Sequence, residues 1–229
     1  MTVKEKICFL VIFPLLLGGC NSYTSTTPQA DEVKNTPAEQ KKARLLRTLD
    51  RKYENPDAHF ELGQLYHADG MWAKAQWHYN IVLSFDPVHR PAQAAMVKVL
   101  LDSGDEATAS TTADIYLNQV SGSATESLKL GLAFQKQLLD NYALKCYQQA
   151  LHLAPNSAKI NRQIGYYYLS KKDKVRATEY LSRSIQLDPI QPDVAGELGR
   201  LGVQIRIPQK TEKNTKKLDK IVEQSDKTN

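Results

Sequence analysis

Three cysteines in 229 residues leave little scope for disulfide or metal chemistry. Cys8, Cys20 and Cys146 stand far apart, with no pair at metal-ligand spacing and no framework of bridges. An excess of one charge is also missing. Thirty Lys and Arg against 25 Asp and Glu give a formal net charge of +5, too mild and mixed to make nucleic acid the expected partner. No apolar run reaches the roughly 20 residues that a membrane-spanning helix needs. There is no Walker phosphate loop, no dinucleotide glycine fingerprint and no His-Glu-x-x-His. These absences argue against the commonest nucleotide- and zinc-dependent enzymes, and no cofactor or metal is expected. What remains is ordinary for a folded soluble chain, 41% apolar and 24% charged. Its length suits one domain or a short repeat array.

The longest apolar run is near the start. Lys4 and Lys6 precede Ile7 to Leu17, and then come Gly18, Gly19 and Cys20. So short a core fits a signal peptide. Small residues before the cysteine let an extended backbone enter a peptidase cleft. "LGGC", residues 17–20, resembles the lipobox of bacterial lipoproteins. That resemblance implies removal of residues 1–19 and diacylglyceryl modification of Cys20, which would hold the chain on a bilayer. Asn21 follows where an aspartate resembles an inner-membrane retention signal, so the expected location is the outer membrane, facing the periplasm. Residues 20–36 are rich in Ser, Thr and Asn and read as a flexible tether.

A period of 34 organises the rest. "FELGQLY" at 60–66 recurs as "LKLGLAF" at 128–134 and "RQIGYYY" at 162–168. Gly63, Gly131, Gly165 and Gly199 keep one phase, with Val97 where the second glycine would fall. Ala75, Ala109, Ala143 and Ala177 keep another. Tyr79, Tyr147 and Leu181 share a third, with Ala113 in place of an aromatic. Pro87, Pro155 and Pro189 share a fourth, with Ser121 standing in. This register resembles the tetratricopeptide repeat, a helix–turn–helix unit. Glycine in the first helix lets the second pack close, and proline ends the second helix. Gly70 and Gly104, at 34-residue spacing, fall in turns where a left-handed angle is expected.

The fold class expected is therefore all-α, a right-handed solenoid over residues 37–205. Its four units are about 56–87, 90–121, 124–155 and 158–189. The second lacks the glycine, the aromatic and the proline, so displaced helices are expected there. A helix at about 38–52, with Leu45, Leu46 and Leu49, is expected to cover one open end, and a helix at 193–205 the other. The lysine-rich residues 206–229 read as a disordered tail.

Candidate chemistry is sparse. The five histidines show no spacing that dictates a carboxylate or metal partner, and Cys146 reads as structural. Trp72, Trp77, Tyr142 and Tyr147 read as core at repeat seams, and the serines around 121–127 as helix caps. The chain is not expected to be an enzyme. A solenoid offers instead a groove lined by the first helix of each unit. The inward candidates are Phe60, Gln64 and His67; Lys98 and Leu101; Leu128, Leu132 and Lys136; and Arg162, Tyr166 and Leu169. An apolar lining with scattered cations suits an extended or helical peptide bearing acidic groups. Phe60 and Gln64 stand where some tetratricopeptide proteins clamp a carboxylate with lysine and asparagine, which argues against that role. The layout resembles small tetratricopeptide lipoproteins of pilus assembly, of the tight-adherence or type IV pilotin kind. It implies a membrane-anchored adaptor whose partners are secretin or pilus components of the envelope. The alternative is a regulator of a peptidoglycan-synthesising or -hydrolysing enzyme.

Overall fold

The 34-residue phase becomes two interleaved rows of helices with constant lengths. The computed structural model describes residues 36–204. The first helices of the hairpins are α2 (Pro56–Ala68), α4 (Arg90–Asp102), α6 (Ala124–Lys136) and α8 (Ala158–Ser170). The second helices are α3 (Trp72–Phe85), α5 (Glu106–Gln119), α7 (Asp140–Leu153) and α9 (Lys174–Leu187). A leading helix α1 (Pro37–Arg51) and a closing helix α10 (Pro192–Arg200) flank them. No strand occurs among the described residues. Each first helix has 13 residues and each second helix 14.

Capping fixes these boundaries. Asn55, His89, Ser123 and Ser157, at 34-residue intervals, precede the four first helices and accept from a backbone N–H three residues on. Each satisfies one of the orphan donors at a helix start. Asp105 and Asp173 do the same for α5 and α9. A second polar phase ties the first helices to the preceding loops. Gln93 and Asn161 donate side-chain N–H groups to the carbonyls of Pro87 and Pro155. Ser127 donates its hydroxyl to the Val120 carbonyl, and His59 Nε2 bonds the Tyr53 carbonyl. All four residues are buried, so these bonds remove loop carbonyls that would otherwise go unpaired.

The turns inside the hairpins share one strained position. Gly70 and Gly104 have φ of 72° and 88°, and Leu138 and Lys172 occupy the same phase with φ of 60°. Cβ crowds the carbonyl in this region, so glycine fits and leucine does not. Leu138 is 78% exposed and gains nothing from burial in return. Leu138→Gly and Lys172→Gly are each expected to stabilise by about 0.5–1 kcal/mol, because relief of strain outweighs the added freedom of the unfolded chain. Thermal unfolding would check this; a lower melting temperature in both variants would contradict the strain.

The core lies between the rows. Tyr79, Tyr147 and Leu181 on the second helices are almost wholly buried and lie against Gly63, Gly131 and Gly165. The displacement expected of the second hairpin is one of contact and not of register. Its helices keep the register of the others. What changes is their embrace: α4 and α5 hold each other less closely than the other pairs, while α4 packs directly on α6. Arg90, 7% exposed, bridges that contact, giving Nε and a terminal nitrogen to Glu126 Oε2 at 3.2 and 3.1 Å and another to Gln93.

At the leading end Leu45 and Leu49 are buried with Ala58 and Leu62, whereas Leu46 is exposed. Its place one residue beyond the buried stripe turns it to solvent. The closing helix is shorter than expected, because Gly202 takes a left-handed φ of 83° and turns the chain. Val194 and Leu198 cover Leu181 at that end. The proposed lipid site Cys20, the segment 20–36 apart from its last residue, and the tail 206–229 lie outside the described residues.

Candidate partner-binding groove

Three first helices, α2, α4 and α6, enclose a groove of about 590 Å³ lined by Phe60, Gln64, Pro91, Lys129, Leu132, Ala133, Lys136 and Gln137. A second recess of about 380 Å³ continues it past Gln64 and Gln137 to His67, Trp72, Tyr79, Lys98 and Asp102. Six of the eleven inward candidates therefore meet: Phe60, Gln64, His67, Lys98, Leu132 and Lys136. The loose second hairpin helps form this space. Pro91, where the other first helices carry Asp57, Thr125 and Lys159, presents a flat ring beside Phe60.

Phe60 supplies the apolar floor. It is half-buried, tilted against Tyr79 at 5.9 Å and His89 at 5.0 Å. Leu132 faces it from α6 and is also half-buried. On α6, Lys129, Leu132, Ala133 and Lys136 share one face by helical spacing. Lys129 is held by Glu126 at 2.8 Å, whereas Lys136 forms no ion pair among the described residues. The groove thus places one free cation at the edge of an apolar floor.

The far recess is electrostatically occupied by its own side chains. His67 Nε2 lies 2.8 Å from Asp102 Oδ2, and Lys98 bonds the other carboxylate oxygen. Burial pushes the Asp102 carboxyl up, but the bonds from Lys98 and His67 outweigh it and leave it below the ordinary carboxylate value. Trp72 stands edge-on to the His67 ring at 5.4 Å. The pairing joins adjacent units across 35 residues, one more than the repeat. Spacing within a single unit therefore gives no sign of it.

Five candidates lie elsewhere. Leu128 is 4% exposed and belongs to the core. Leu101 is turned to the opposite side, into a cleft of about 780 Å³ between α5 and α7. Arg162 and Tyr166 are engaged by the closing helix: Tyr166 donates to Asp193 Oδ2 at 2.9 Å, and Arg162 lies 3.8 Å from the same oxygen. Burial, with Asp193 beside it, pushes the Tyr166 phenol up to about 12. Leu169 packs half-buried between the core and the α9–α10 contact.

Other residues singled out above find structural roles. Cys146 is fully buried; burial pushes its thiol up to about 12, against the opposing pull of Arg90, so thiolate is scarce at neutral pH. Ser123 caps α6 as expected. Trp72 is half-buried, but Trp77 is 51% exposed and is not core. His59 and His78 form a buried pair, Nδ1 to Nδ1 at 3.0 Å. Among the described residues no group of three His, Cys, Asp or Glu is placed to hold a metal ion.

The arrangement defines a class before any relative is considered. Helical hairpins in constant register, glycine against a buried side chain and a turn at each left-handed position make this a tetratricopeptide-repeat fold. No family model matches the chain. It is similar to "BBSome complex member BBS4" of Bos taurus, 28% identical over 136 residues, or 59% of this chain. The match spans 26% of that relative's length. Solved structures similar to it include a thermophilic tetratricopeptide protein of Thermus thermophilus, at 15% identity, 73% of this chain, 91% of that chain and a TM-score of 0.40. Another is pilF of Pseudomonas aeruginosa, at 26% identity, 64% and 67% coverage and a TM-score of 0.37. A third is YrrB, described as having an unusual peptide-binding site, at 16% identity, 71% and 84% coverage and a TM-score of 0.38.

Proposed function

We propose that the protein is a lipid-anchored adaptor of the bacterial envelope that holds a partner segment in the α2–α4–α6 groove and helps a pilus or secretin apparatus assemble. One observation carries the binding reading: Phe60, Leu132 and Pro91 form an apolar floor beside the unpaired Lys136. A floor of this size accepts one large apolar side chain, and the cation selects an acidic neighbour. The anchor reading rests on "LGGC" at 17–20. The pilus assignment rests on layout, and the name pilF stands beside it as a likeness alone.

The test is crosslinking and co-purification from envelope membranes. Lys136→Glu and Phe60→Ala are expected each to reduce partner recovery about tenfold, since a reversed charge or a lost aromatic floor removes on the order of 1–2 kcal/mol. Both residues are at least partly exposed, so helical content should be retained. Unchanged recovery in both variants would place the partner elsewhere. Recovery of a peptidoglycan enzyme, with no secretin or pilus subunit, would replace the assembly role by the regulatory one. In the same cells globomycin should leave an uncleaved precursor and Cys20→Ser an unlipidated one; normal processing to a soluble form would refute the anchor.

A further inference from the structure

The leading helix carries two faces that serve different neighbours. Lys42, Leu45 and Leu49 are buried against α2. At 3.6 residues per turn Arg44, Arg47 and Arg51 lie within about 60° of one another on the opposite side. All three are exposed. None forms an ion pair among the described residues; Arg47 only turns its Nε to the Ala43 carbonyl, at 3.3 Å. Glu39 is taken by Lys42, and Asp50, about 60° from Arg47 round the helix, forms no ion pair with the arginines among the described residues. By contrast, Lys41 and Lys42 are both paired with carboxylates of the first hairpin. A row of three free guanidinium groups is thus confined to the solvent side of the helix nearest Cys20 in the sequence.

We propose that this arginine face is a docking surface for an anionic lipid bilayer, which orients the solenoid on the membrane that holds its anchor. The inference rests on the lipid-anchored reading given above. Only residues 21–36 separate Cys20 from α1, and so many residues reach no more than about 60 Å even at full stretch. An acylated Cys20 would keep α1 within that distance of the headgroups at a high local concentration. Guanidinium groups pair with phosphate oxygens through two N–H donors at once, so arginine suits a phosphate surface better than lysine. With α1 on the bilayer, the protein reads its membrane through one end and its partner through the groove.

Flotation of the full chain carrying Cys20→Ser, with vesicles of phosphatidylcholine alone or with added phosphatidylglycerol, tests this. The residual apolar run of residues 7–17 contributes to both vesicle types, so the ratio between them isolates the charge effect. The expected result is preferential binding to phosphatidylglycerol vesicles that fades at high salt. The triple variant Arg44→Gln, Arg47→Gln, Arg51→Gln should lower that preference about a hundredfold, at roughly the surface contribution of three cations. The charge-matched control Lys159→Gln, Lys172→Gln, Lys174→Gln, at α8 and α9, should leave it largely intact. Equal loss in the control, or an unchanged preference in the arginine variant, would overturn the docking surface. So would loss of a crosslinked protein partner with lipid preference unchanged, since that would make the face a protein contact. Failure of the anchor appears separately: an unacylated Cys20 with arginine-dependent lipid binding would sink the anchor and leave the surface standing.

Discussion

Lowering the pH from 7 to about 4.5 should destabilise the protein by about 2 kcal/mol through the buried pair His59 and His78. For a chain of this size that lowers the melting temperature by about 4–8 °C. The hydrogen bonds fix the tautomers. His59 Nε2 lies 3.1 Å from the Tyr53 carbonyl and must donate to it, so its Nδ1 can only accept from His78 Nδ1, 3.0 Å away. One proton fills the gap between the rings, and a second would set two donors face to face. Burial, and then the neighbouring His59, pushes His78 down from 6.5 to about 4. Burial also lowers His59, against the opposing Tyr53 carbonyl. Tyr66 stacks on His78 at 5.3 Å and closes the pair off from solvent, and the nearby Lys42 is neutralised by Glu39 and Asp69. Between pH 6.5 and 4 the unfolded chain binds protons that the native pair refuses. Stability therefore falls as pH falls through that window and levels off near the folded value. Glu126, held below the ordinary carboxylate range by Lys129 and Arg90, adds its loss only further down. The double variant His59→Phe, His78→Phe should flatten the dependence between pH 7 and about 4.5. Should it fail to fold, an NMR titration of the His78 ring in the native protein answers directly: protonation near the ordinary histidine value of about 6.5 would refute the reading.

The same pair shows where the sequence stops being legible. Phase alone located the hairpins, because glycine, alanine and proline act locally on helix contact and helix ends. The displacement expected for the second hairpin was legible in its missing glycine and aromatic, which loosen α4 against α5, whereas the caps His89 and Asp105 keep its helices in register. The groove was legible where one residue decides a face, as with Phe60, Gln64 and Leu132. It was not legible where neighbours compete for a side chain. Arg162 and Tyr166 have the phase of groove residues, but α10 brings Asp193 over them. His67 and Asp102 meet only because consecutive first helices lie side by side. His59 and His78 differ by 19 positions across a turn, a separation that no periodic pattern marks.

Gly131→Val should cost about 3 kcal/mol or more, with a melting temperature about 6–12 °C lower. A Cβ at Gly131 would lie 2.6 Å from Tyr147 Cε1 and 3.0 Å from Cys146 Cβ, well inside contact. The ring has no room to move. Tyr147 is 0% exposed, meets Tyr167 edge-on at 5.6 Å and donates its hydroxyl to Gln135 at 2.5 Å. Gly63 against Tyr79 and Gly165 against Leu181 repeat the arrangement, at 2.5 and 2.6 Å. The second hairpin solves the same seam the other way round: Val97 puts bulk on the first helix, Ala113 removes it from the second, and both are 0% exposed. Glycine is thus required only while the ring is present. Tyr147→Ala alone leaves a cavity and should cost about 3–5 kcal/mol. The double variant Gly131→Val, Tyr147→Ala copies the second hairpin, because valine fills part of the space the ring vacates. It should be less destabilised than the sum of the single variants by about 1–3 kcal/mol, measured in a double-mutant cycle by chemical denaturation. Strict additivity would mean that the two residues do not share a seam. The copy is not expected to restore full stability, since α4 and α5, which use the valine–alanine pair, hold each other less closely than α6 and α7 do. That looser contact accompanies the groove: with close packing traded away at the second hairpin, α4 settles directly on α6 and leaves the space between Phe60 and Leu132 open to a partner.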